Sequence, residues 1–286
     1  MIYLIVCIIS NTGIFVVFKL AGIKRLDTFK IIVVNYFTAA IIGFLIGGLP
    51  GKDVLDASWI PMAITIGILF IIVFFVIALA TQKAGIAVTS VASKMSVVIP
   101  ITFSLFYFKE PLSIPKITGI FLALVSVFLT TFSRDKAKKR DYMVILLPLI
   151  IFFSAGFIDS LIKYTQEVHI VGNNSIMFSS VLFSVSAVTG LLFSLFRKNY
   201  GKSVKYIQII IAGIVLGIVN FFSLYGIIMA LESNVFDSSI VFGINNMGIV
   251  VLSVITAVLF FSEKLSKLNK AGIALSIITI IFLSYI

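Results

Sequence analysis

The sequence predicts an all-α polytopic membrane protein with ten transmembrane helices, and three observations carry that expectation. The composition is too apolar for a water-facing surface. Of 286 residues, 60% are hydrophobic and 12% are charged, with a mean hydropathy of +1.22, so most of the outer surface must face lipid. Ten apolar runs each approach the ~20 residues that a helix needs to cross a hydrocarbon core. Stretches such as 64–80 and 273–283 are apolar on every side, without the period-2 alternation of a transmembrane barrel.

The spans fall in order along the chain. The first, 2–20, carries Asn11. It lacks a basic segment before it and a small-residue cleavage site after it, so it is expected to stay as a helix rather than leave as a signal. The second, 28–48, carries Asn35 and Tyr36, with Gly43 and Gly47 four apart for close helix packing. The third is 59–81. The fourth, 87–107, holds Ser93 and Lys94, with Pro100 six residues beyond the lysine. The fifth, 113–132, contains Gly119. The sixth, 142–164, carries Asp159 and Lys163. The seventh is 175–196. The eighth, 205–231, carries Asn220 and a second glycine pair, Gly213 and Gly217. The ninth, 238–261, contains Gly243, Asn245, Asn246 and Gly248. The tenth, 266–285, contains Gly272. The longest connections are about ten residues, which leaves no room for a soluble domain.

The loops set an orientation. Seventeen Lys and Arg residues follow the odd-numbered spans, from Lys19, Lys24, Arg25 and Lys30 to Lys264, Lys267 and Lys270. Four follow the even-numbered spans: Lys52, Lys109, Lys116 and Lys163. Positive loops stay cytoplasmic, so both termini are expected outside a multi-pass protein of the cytoplasmic membrane. The net charge of +11 reads as this bias and not as a nucleic-acid surface. One cysteine, Cys7, allows no internal disulfide. One histidine, His169, rules out zinc sites and triads built on several His and Cys residues. No GxxxxGK[ST] stretch is present for nucleotide phosphates. No metal and no cofactor is expected.

The chain repeats itself. Phe108-Lys109-Glu110-Pro111-Leu112-Ser113 sits 153 residues before Phe261-Ser262-Glu263-Lys264-Leu265-Ser266, and the same offset lays Gly119 on Gly272. The organisation expected is a first five-helix repeat at 1–133, a basic cytoplasmic linker at 134–141 and a second five-helix repeat at 142–286. Five is odd, so the second half enters the bilayer inverted. This is the plan of secondary transporters, whose substrate site lies near the midplane between the halves.

At these residues the sequence resembles a known family. The stretch from Gln82 through Ala84, Gly85 and Ser90 to Ser96 and Pro100, with Glu110, Pro111, Leu112 and Gly119, resembles EamA-type members of the drug/metabolite transporter superfamily. Glu263, Leu265 and Gly272 match the same signature in the second half. The resemblance implies a ten-helix fold with a central cavity, and often export of metabolites or amino acids. Many relatives are expected to keep both termini in the cytoplasm, the reverse of what the loop charges say here.

Site candidates follow from polarity inside apolar spans. Lys94 costs ~2.5–3.5 kcal/mol on insertion scales if it lies well inside a span. It either contacts an anionic group of a substrate or an acidic partner, or it snorkels to the headgroups. Ser93 stands beside it. Asn245 and Asn246, flanked by glycines, are expected to form an irregular turn with free backbone groups; the alternative is helix-to-helix adhesion. Asn11, Asn35 and Asn220 either line a pathway or join helices. Asp159 either pairs with Lys163 four residues on, or faces the cavity as a proton-carrying acid. Glu110 and Glu263 read as structural carboxylates near helix starts.

The function expected is a secondary transporter that moves a small organic metabolite, an amino acid or similar, by alternating access in the export direction. The alternative is a flippase for a lipid or lipid-linked sugar, in which Lys94 would meet a phosphate. Too few His, Asp and Glu residues cluster for an intramembrane enzyme. The partners expected are the small-molecule substrate and the lipid bilayer, with no nucleic acid; a homodimer is left open.

Overall fold

A computed structural model of the chain describes residues 1–51, 54, 57–109, 113–132, 142–169, 175–196, 205–233, 235–236 and 238–284. The linker 134–141, Glu110 and Ser203 lie outside these residues. The described chain is helical, in chain order α1 (Ile2–Ile23), α2 (Thr28–Gly47), α3 (Ile60–Lys83), α4 (Ile86–Met95), α5 (Val98–Tyr107), α6 (Ile114–Thr131), α7 (Tyr142–Val168), α8 (Ser175–Phe196), α9 (Tyr206–Glu232), α10 (Ser238–Phe261) and α11 (Lys267–Ser284). Among the described residues, nine helices are long and apolar enough to cross a bilayer, with α4 and α5 together making one crossing. The closing helix α11 packs along α6.

Local chemistry sets the helix starts. The Asp27 side chain accepts the N–H groups of Phe29 and Lys30 at the head of α2. Ser113 accepts the N–H of Lys116 at the head of α6. At the head of α11, Ser266 Oγ accepts the N–H of Asn269 at 3.1 Å, and Asn269 Oδ1 accepts the N–H of Ser266 at 3.0 Å. Each cap satisfies donors that the first helical turn leaves without partners.

The offset of 153 recurs in local geometry. Lys109 and Ser262 both adopt left-handed backbone, with φ of 53° and 50°. Ser113 and Ser266 both cap the helix that follows. Gly119 and Gly272 both sit in the contact between α6 and α11, the first against Leu283 and the second against Ser126 and Thr130.

The helix break differs from expectation. The stretch 243–248 is continuous α-helix within α10, so the two amides make no irregular turn there. The fourth span breaks instead, between Met95 and Val98. Pro100 explains the location. It has no N–H to give the carbonyl of Ser96, and a helix-interior proline costs ~3 kcal/mol. Ser96 O accepts the N–H of Ile99 instead, at 2.9 Å. A glycine in a helix costs only ~1 kcal/mol, which neighbouring packing offsets.

Packing mixes the two halves of the sequence. One buried apolar cluster joins α1, α2 and α3 with α8 and α9, through Phe18, Tyr36, Ile66, Phe183 and Leu216. A second joins α4, α5 and α6 with α10 and α11, through Met95, Val98, Val127, Ile249 and Ile280. Gly213 and Gly217 let α9 approach α2: a Cβ on Gly217 would stand 2.7 Å from the carbonyl oxygen of Asn35. Large apolar side chains such as Phe196, Ile207, Phe106 and Phe260 remain exposed on the outer faces, as lipid contact requires.

Candidate functional site

The two clusters leave a cavity of about 820 Å³ between them. Its wall takes side chains from both halves. Its mouth lies where α7 and α9 end and α10 begins, at Gln166, Glu167, Leu231 and Phe242. It reaches inward to Cys7, Asn11, Ser93 and Lys94.

Lys94 stands in the last turn of α4, beside the break. The negative end of that helix therefore points at the lysine, where it favours a cation. The Lys94 ammonium donates to Asn11 Oδ1 at 3.3 Å. Asn11 Nδ2 in turn donates to Cys7 Sγ at 3.8 Å, and the thiol donates to the carbonyl of Ser223 at 2.9 Å. These contacts hold Lys94 toward the cavity and not toward the headgroups.

Asp159 of α7 faces the same cavity and is solvent-accessible there. Lys163 does not fold back on it. The Lys163 ammonium donates to Ser104 Oγ of α5 at 2.6 Å and lies 5.8 Å from the Phe108 ring centroid. Asn245 and Asn246 of α10 also line the wall. Asn245 is 5% exposed, and among the described residues its Oδ1 has no hydrogen-bond donor. A buried acceptor left unpaired costs about 1–3 kcal/mol, which a ligand N–H or O–H would remove.

Asn220 lines the wall too, and its Nδ2 donates to Asn35 Oδ1 at 3.1 Å. Asn35 itself is fully buried and stands behind the lining residues. Of the candidates read from the sequence, Lys94, Ser93, Asn11, Asn245, Asn246, Asn220 and Asp159 meet at the cavity, while Asn35 braces one of them.

One side of the cavity is aromatic, a feature that counting phenylalanines did not reveal. Tyr36, Phe70, Phe74 and Phe183 form it, with the rings of Phe70 and Phe183 stacked at 6.5 Å and Tyr36 donating its O–H to the carbonyl of Phe70 at 3.1 Å. Opposite charges and aromatic rings in one cavity suit a small amphiphilic molecule with both a charged and an apolar part.

Apolar helices enclosing a polar cavity with charges at mid-span define a multi-pass membrane protein. Residues 1–132 match the model of the EamA-like transporter family. A protein of Haemophilus influenzae described as uncharacterized is 30% identical over 293 residues, covering 99% of this chain and 97% of that protein. The chain belongs to the EamA-like transporter family, part of the drug/metabolite transporter superfamily. A solved structure titled "Crystal structure of protein" superposes with a TM-score of 0.63 over 98% of this chain and 94% of the other, at 16% identity; that likeness concerns the fold.

Proposed function

We propose that this EamA-like transporter is a secondary carrier that exports a small zwitterionic metabolite, an amino acid or similar, across the cytoplasmic membrane. It works by alternating access between two inverted five-helix halves, 1–133 and 142–286. The substrate carboxylate meets Lys94 and the amide of Asn11. Its ammonium meets Asp159 and Asn245 Oδ1, and an apolar side chain lies against the aromatic wall. The basic face, where Lys24 and Lys205 meet, is cytoplasmic by the loop charges, so both termini and the mouth of the cavity face outside.

The observation that carries this reading is the presence of both signs of charge, Lys94 and Asp159, in one cavity. A phosphate without an amine, as in a lipid-linked sugar, would find Lys94 attractive but Asp159 repulsive, so a zwitterion fits the two charges better than an anionic lipid head. The recurrence at Lys109 and Ser262, and at Ser113 and Ser266, supports a repeat. An odd number of helices per half inverts it.

Thermal unfolding in detergent tests the substrate class. A neutral zwitterion at ~100 times its Kd adds about 2.7 kcal/mol of stability and raises the melting temperature. The matching amine without a carboxylate, and the acid without an amine, are expected to raise it less. Asp159→Asn is expected to remove the preference for the amine. Equal shifts from all three compounds would reject the two-pole site.

A further inference from the structure

Beyond the inner end of the cavity, toward the basic face, one carboxylate joins three helices. Glu263 follows the end of α10, where Ser262 turns the chain with φ of 50° and the Glu263 N–H donates to the carbonyl of Ala257 at 3.0 Å. Its Oε1 accepts the Lys19 ammonium at 2.7 Å and the N–H of Ile86 at 3.0 Å; its Oε2 accepts the N–H of Ala87 at 3.4 Å. The two side chains are largely shielded, 18% exposed for Lys19 and 13% for Glu263. Gly85, with φ of 98°, makes the seat: a Cβ there would come within 2.6 Å of Oε2. Beside it, Gln82 Nε2 donates to the carbonyl of Phe18 at 3.2 Å and to Thr28 Oγ1 at 3.0 Å, tying the α3–α4 turn to the end of α1 and the start of α2.

The same two helices carry the candidate site. On α1, Asn11 lies eight residues before Lys19; on α4, Lys94 lies eight residues after Ile86. Each interval is about 12 Å of helix, and Asn11 and Lys94 are themselves bonded. So α1 and α4 touch at two levels: at the cavity through Asn11 and Lys94, and at the basic face through Glu263.

We propose that Glu263, gripping Lys19 of α1 and the first turn of α4, is the latch that holds the cavity shut toward the basic face, and that release of this grip opens the cavity to the cytoplasm. This rests on the alternating-access reading. A carboxylate at a helix N-terminus with a lysine partner makes charge-assisted bonds, strong enough to bias one conformation and few enough to break. A ligand that moves Asn11 relative to Lys94 shifts α1 against α4, and that shift is what the latch resists.

A single cysteine at Val97, a cavity-lining residue with no assigned role in binding, in a Cys7→Ser background, reports the open side. Labelling with a membrane-impermeant maleimide is measured in right-side-out and inside-out vesicles. Without further change the label is expected from the outside. With Lys19→Met or Glu263→Gln, the cytoplasmic rate is expected to rise about tenfold and the outside rate to fall, as losing one charge-assisted bond implies. Lys19→Met leaves the carboxylate on Ile86 and Ala87, so the helix start keeps its cap; Lys19→Arg, which keeps the cation, is expected to restore outside labelling. Unchanged sidedness in both variants, while vesicles still carry substrate, would overturn the latch and leave the carrier reading standing. A rise from the cytoplasm with no fall outside would overturn it too, because that is a leak and not an exchange of access. Cytoplasmic labelling before any latch substitution would remove the outward-open reading on which the latch depends.

Discussion

Lys94 is a cation at mid-span whose partner is an amide, Asn11, and an opposite charge, Asp159, lines the same cavity. A structural lysine would be expected to carry a carboxylate at bonding distance. This arrangement leaves room for a second charged molecule between the two poles. Lys94→Ala is expected to cut flux tenfold or more, on the order of one lost charge-assisted contact. The same change relieves the cost of a charge inside a span, so the protein should remain in the membrane at unchanged abundance. Vesicle flux together with membrane abundance checks both halves, and unaltered flux would remove Lys94 from the site. Lys94 was legible because a charge stands out in an apolar run. Glu263 was not. Its position before a helix start suggested a cap for the helix that follows, but its carboxylate caps α4, which is far away in sequence. Only the packing of α1, α4 and α10 brings that helix start to it.

At the scale of elements, small residues and amides set how helices meet. A Cβ on Gly217 would stand 2.7 Å from a carbonyl of α2, whereas one on Gly13 would meet Val219 at an ordinary 3.4 Å. Gly217→Ala is therefore expected to cost about 1–3 kcal/mol through forced separation of α9 from α2. Gly13→Ala is expected to change stability little. Comparing their melting temperatures in detergent tests this; equal losses would mean that the α2–α9 approach is not tight. The Asn35–Asn220 bond crosses the same contact. A double-mutant cycle through Asn35→Ala and Asn220→Ala is expected to return a coupling of about 0.6 kcal/mol. Most helix bounds were readable, because a bilayer demands long apolar runs and α8 covers the residues expected of it. The break in the fourth span was not. Glycines and paired amides around 243–248 looked irregular, yet a missing N–H at Pro100 interrupts a helix more strongly than flexible residues do.

At the scale of the whole molecule, the sidedness of charge makes a separate statement. Cysteines at Ser133 and Ser203, in a Cys7→Ser background, are expected to react with impermeant thiol reagents only from the cytoplasm. Reaction from outside in intact cells would invert the topology and turn the cavity mouth inward. The long apolar runs made the crossing helices legible. They did not reveal that α1–α3 pack with α8 and α9, and α4–α6 with α10 and α11, because apolar helices look alike to a sequence and the partners of each are chosen by side-chain shape. The cavity lies between those two groups, where a carrier exchanging access from one face to the other needs its binding site. Counterflow in proteoliposomes tests that carrier most directly. Vesicles are loaded with an unlabelled zwitterionic amino acid identified by thermal shift, and diluted into a trace of the same compound carrying a radiolabel. Transient accumulation of label above equilibrium by the wild-type protein, absent with Lys94→Ala, is the result expected. Uptake that never exceeds equilibrium, or that is the same in both proteins, would contradict alternating access through this cavity.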